Sequence, residues 1–66
     1  MEELSDLACH LYFYIYMVDD PVIKRKTQAQ ECIDRLCEVF PDDRQAIKKA
    51  LKELIDNGML RYKAVN

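Results

Sequence analysis

Few residues of this chain could do chemistry, and their spacing brings few of them together. His10 is the single histidine. Cys9 precedes it directly, and neighbours on a helix point about 100° apart. The two therefore do not form a nucleophile–base pair, which also needs an orienting group and a cleft. Asp19-Asp20 and Asp42-Asp43 are the paired carboxylates, and helix stops and caps explain both. Cys9, Cys32 and Cys37 are odd in number and lack the spacing of zinc ligands. Cys32 and Cys37 project about 140° apart on a helix, which suits core filling. No glycine-rich phosphate loop is possible with Gly58 as the one glycine. These residues predict a non-enzyme without metal or cofactor, and reduced thiols fit a cytoplasmic protein.

What remains is the chemistry of charge. The net charge is −2, unevenly placed: residues 1–23 carry five acids and no Lys or Arg, and residues 24–66 carry ten bases and seven acids. The second part is the candidate polyanion surface. Lys24-Arg25-Lys26 is a basic triplet that reads as a solvated turn or a phosphate clamp. Arg44, Lys48, Lys49 and Lys52 follow at helical spacing, then Arg61 and Lys63. The pI near 5.2 argues against strong non-specific nucleic-acid binding.

The elements that must position these groups follow from the apolar pattern. Sixty-six residues, half of them apolar and a third charged, make one domain spanning 1–66, of marginal size for a stable core. Glu3 to Asp19 is predicted helical: Leu4, Leu7, Ala8, Leu11, Ile15 and Val18 recur at helical spacing. Its stretch Leu7 to Val18, apolar except for His10, spans roughly 18 Å of helix against about 30 Å of bilayer core. No membrane span or signal peptide is expected. The back of this helix carries Cys9, Tyr12, Phe13, Tyr16 and Met17. A helix apolar all round is normally covered all round. Either neighbouring helices of the same chain cover it, or a second copy does, which makes it a candidate homodimer interface.

Asp19-Asp20-Pro21 is expected to stop the first helix, and Val22-Ile23-Lys24 to form a short extended piece. Thr27 and Gln30 form a candidate capping box for a second helix running to about Phe40. Its core stripe is Ala29, Ile33, Leu36, Cys37 and Phe40, with Cys32 and Val39 at the edge. After Phe40-Pro41, Asp42 with Gln45 is the expected cap of a third helix, whose core face is Ile47, Ala50, Leu51, Leu54 and Ile55. Gly58 is the expected left-handed residue after it. Met59 to Val65 then alternates as a half-buried strand. The fold class is mainly α: three helices and a short C-terminal strand.

The run Ile47-x-x-Ala50-Leu51-x-x-Leu54-x-x-x-Gly58-Met59-Leu60-Arg61-Tyr62 resembles the third helix of winged helix-turn-helix proteins, which leads through a glycine into a first wing strand. The resemblance extends over residues 21–65 and is densest over 44–63. It implies a winged-helix-like fold and a transcription regulator that binds double-stranded DNA, and the apolar back of the first helix adds that it acts as a homodimer. Lys24, Arg25, Lys26, Arg44, Lys48, Lys49, Lys52, Arg61 and Lys63 would be its DNA contacts. The sequence departs from the pattern in leaving no room for a second wing strand before Asn66. It also lengthens the turn at Phe40-Pro41-Asp42, and it sets Asp42 and Asp43 where base edges and phosphates are met. These departures favour an alternative, a protein–protein interaction module, either adaptor or inhibitor, with the first helix as its contact surface. Basic charge gathered on the third helix tips the balance of the sequence toward DNA.

Overall fold

The computed structural model describes residues 4–18, 20–25 and 28–61. They form four helices: α1, Asp6–Met17; α2, Pro21–Lys24; α3, Ala29–Val39; and α4, Arg44–Asp56. Among the described residues there is no sheet. α4 is the central element, packed against α1 on one flank and α3 on the other, while α2 leans on α3.

α1 starts where Ser5 caps it, its hydroxyl oxygen accepting the Ala8 N–H at 3.2 Å. That hydroxyl also donates to Glu53 of α4 at 2.9 Å, so the cap doubles as a tie between helices. The helix is shorter than expected and ends at Met17, with Val18 extended as its C-cap. Val18 thereby leaves the helical register and is exposed instead of joining the core stripe. Ala8 and Leu11 are fully buried, with Leu4, Leu7 and Ile15 packed beside them.

Val22-Ile23-Lys24 is helical, not extended. Asp20 caps this turn by accepting the Val22 N–H at 2.9 Å. Pro21 takes the first helical position, where its missing N–H costs nothing and its φ already suits the helix. One buried side chain, Ile23, anchors the turn. Gln28, with extended backbone, is the N-cap of α3 and makes no side-chain cap bond. The expected capping residue, Thr27, lies outside the described residues, as do Lys26 and Asp19. In α3, Ala29, Cys32, Ile33 and Leu36 are buried. Cys32 is thus central where an edge position was expected, and Cys37 and Phe40 are only half-buried.

Asp43, not Asp42, caps α4, accepting the Ala46 N–H at 2.8 Å. The bend at Pro41 and Asp42 delays the helix by one residue. Gln45 then falls at the second helical position, where it cannot complete a capping box. Ile47, Ala50, Leu51 and Leu54 face inward, and Ile55 is half-buried. At the far end Gly58 takes φ +72°. Its N–H donates to the Ile55 carbonyl and the Met59 N–H to the Leu54 carbonyl. These are the paired bonds of a Schellman stop, which satisfies carbonyls the helix would otherwise orphan. Leu60 then returns to the core and Arg61 faces solvent. That alternation continues the expected strand pattern, but Met59–Arg61 is not a strand, and residues 62–65 lie outside the described residues.

Candidate functional site

Two surfaces and one buried polar cluster stand out among the described residues. The first surface is the back of α1. Phe13 is 60% exposed, Tyr16 56%, Met17 68% and Val18 43%, against 0% for Leu11 on the opposite side of the helix. Cys9 and His10 are exposed too, and Tyr12 is half-buried. Their helical spacing groups Cys9, Phe13, Tyr16 and Met17 in one sector about 100° wide. Part of this face is held by contacts. The Tyr12 and Tyr16 rings touch, with centroids 4.6 Å apart, and the Tyr16 hydroxyl donates to the Met59 carbonyl at 3.1 Å. The radius of gyration, 10.6 Å, is close to the value of about 11 Å expected for a compact chain of this length. α1 is therefore docked through its front, and its back is a surface of the folded domain.

The second surface is the outer side of α4. Lys49 and Lys52 are exposed and Lys48 half-exposed. None of the three forms an ion pair among the described residues. Arg44 differs: its guanidinium donates to Asp34 of α3, and that hydrogen bond raises its pKa. Asp42 and Asp43 sit exposed at the N-terminal end of this face, and Asp56 at its C-terminal end. Lys24 and Arg25 are exposed on and after α2, and the Arg25 Nε donates to the Pro21 carbonyl. Arg61 is exposed as well. Of the other expected DNA contacts, Lys26 and Lys63 lie outside the described residues.

Comparison with protein-family models, with curated proteins and with solved structures finds no match. The two surfaces are therefore weighed on their geometry.

The buried cluster was not legible in the sequence. Asp20, 7% exposed, is the buried charged residue of the described core. One carboxylate oxygen accepts from the Tyr14 hydroxyl at 2.6 Å and from Arg35 Nε at 3.0 Å, and the other accepts the Val22 N–H. Arg35 also bonds Glu38. The Tyr14 hydroxyl contributes most to holding the Asp20 carboxyl at a pKa of about 2, with Val22 and Arg35 adding to it against the opposing effect of burial. The same bond, with burial, raises the Tyr14 phenol. Tyr14 in turn meets Phe40 edge to face. The cluster thus joins the end of α1, the cap of α2 and the exposed side of α3. Every partner is used internally and no cavity opens onto it among the described residues, so it is a latch of the fold. Asp20 next to a proline signals a cap; its pairing with Arg35, fifteen residues away, carries no sequence signal.

Among the described residues no three His, Cys, Asp or Glu side chains gather as metal ligands, and no disulfide joins Cys9, Cys32 or Cys37. Among the described residues no helix is long and apolar enough to cross a membrane.

Proposed function

We propose that this protein is a non-enzymatic, cytoplasmic protein–protein interaction module whose contact surface is the back of α1. The observation that carries this is the exposed aromatic and thioether face of Phe13, Tyr16 and Met17. Isolated exposed apolar residues are ordinary, but a contiguous patch of several hundred Å² is often functional. Aromatic and methionine side chains are also the types enriched in interface cores. The Tyr12–Tyr16 contact and the Tyr16 bond to Met59 hold part of the face in place before any partner arrives, which lowers the ordering cost of binding.

The test is photo-cross-linking in cells that make the full chain, with a benzophenone side chain replacing Phe13 in one variant and Lys49 in another. Protein adducts at position 13 and none at position 49 support the proposal. Adducts absent at 13 overturn it.

A winged-helix-like regulator that binds double-stranded DNA is the second reading, favoured by Lys48, Lys49 and Lys52 on one helix, which form no ion pair with the described residues. Extended backbone at Gln28, between α2 and α3, also suits that topology. Weighing against it, Arg44 is engaged by Asp34, and Asp42 and Asp43 sit at the end of α4 where phosphate would approach. Anisotropy of a labelled duplex at low salt tests it: this reading expects binding that weakens steeply with salt and loses affinity for every sequence when Lys48 and Lys52 are removed.

A further inference from the structure

We propose that the occupant of the α1 face is a second copy of this chain, docked helix against helix in a crossed two-fold packing centred on Phe13. The proposal rests on the reading of α1 as a contact surface and names its partner. It starts from the relief of the face. Cys9, Phe13 and Met17 are spaced four residues apart and form one ridge along the helix. Tyr12 and Tyr16, with touching rings, form the adjacent parallel ridge. Between them runs a groove of the same inclination. When ridges of this four-residue spacing seat in each other's grooves, the helices cross at about −50°. A helix that owns both the ridge and its matching groove is complementary to itself, as a two-fold interface requires.

Charge points to the same occupant. From Leu7 to Val18 the only ionisable group besides cysteine and tyrosine is His10, so two copies meet without carboxylates opposed at the centre. Asp6 is the exposed acid at the N-terminal end of α1, and a steep crossing centred on Phe13 keeps the two Asp6 carboxylates away from the middle of the contact. The area is sufficient. With aromatic side chains offering about 150–250 Å² each, the partly exposed Phe13, Tyr16 and Met17 present roughly 350 Å² per copy. Two faces with their rim then reach the ~1,000 Å² that a specific interface needs. The pinned Tyr16 makes the groove wall firm.

Sedimentation equilibrium of the purified full chain tests this, with Phe13→Asp and Lys49→Asp as paired variants. Both replaced side chains are exposed in the folded monomer, so both variants keep the helical circular dichroism of the wild type. The wild type and Lys49→Asp are expected to dimerise with the same affinity, and Phe13→Asp to do so about thirtyfold more weakly or not at all. A dimer indifferent to Phe13→Asp overturns the proposal, because the copies then meet elsewhere. A monomeric, folded wild type overturns it as well. If benzophenone at position 13 still captures other proteins in that case, self-pairing fails and the contact-surface reading stands; if it captures none, both fail.

Discussion

α1 and α4 are neighbours of nearly equal length, 12 and 13 residues, and each buries one stripe in the shared core. They differ on the side away from it. The outer side of α4 is built from Lys48, Lys49, Lys52 and Asp56, groups that water solvates at no cost. The outer side of α1 is built from Phe13, Tyr16 and Met17, groups that water does not favour. Folding therefore completes α4 and leaves α1 incomplete. The lesson is that an amphipathic pattern locates a core, whereas a second apolar side on the same helix is not accounted for by that core.

The comparison can be broken most forcefully at its shared side. Leu11→Ala on α1 and Leu51→Ala on α4 each empty a fully buried position. Each should cost about 2–5 kcal/mol, measured by urea denaturation. Were Leu11→Ala nearly silent, α1 would not be docked as described and its exposed back would lose its meaning. The latch at the end of α1 comes next. Asp20 has a pKa of about 2 in the folded chain against 3.8 as its ordinary value. A carboxyl held low contributes stability that is fully present above the ordinary value and is lost as pH falls through the folded one. Asp20→Asn should accordingly lower the melting temperature at neutral pH and remove part of the loss seen between about pH 4 and pH 2 in the wild type, as thermal melts across that range would register.

A smaller effect belongs to the stop of α4. Gly58 has φ +72° and open space around an added Cβ. Gly58→Ala should therefore cost only the backbone strain, about 1 kcal/mol, by chemical denaturation. A larger loss would mean that the turn carrying Met59, to which Tyr16 is tied, is more constrained than its surroundings suggest. Smallest of all is Lys49→Gln. On the solvated side of α4 it should change stability by no more than about 0.5 kcal/mol, and it should leave self-association unchanged.

Much of this architecture was legible in the residues, and the parts that were not share a cause. The apolar spacing located Ala8, Leu11, Ile33, Leu36, Ile47, Ala50, Leu51 and Leu54 in the core, and Gly58 marked the end of α4, because helix period and left-handed backbone are local requirements. The apolar character of the back of α1 was legible for the same reason, but whether other helices of the chain cover it was not. Local competition defeated the finer points. Two adjacent aspartates could each cap α4, and only the bend at Pro41 decided for Asp43. Asp20-Pro21 could end one helix or open another, and it opens α2. Ser5 has no Glu or Gln three residues on, so its cap carried no box signal. Long-range partners were beyond reach: nothing in the order of residues pairs Arg35 with Asp20 or Arg44 with Asp34. The pairing of Arg44 matters for function, since it engages one of the cations that the winged-helix resemblance assigned to DNA.

The central claim is that the back of α1 is a contact surface used by a second copy, and Met17 reports on it directly. Its side chain is among the most exposed of the face, while Met59 packs against the core. In methyl spectra of methionine-labelled protein recorded from low micromolar to submillimolar concentration, the Met17 methyl signal should move and broaden as the chain concentrates, while Met59 stays nearly fixed. A Met17 signal that holds its position across the whole range, in a chain that remains folded, would contradict the account.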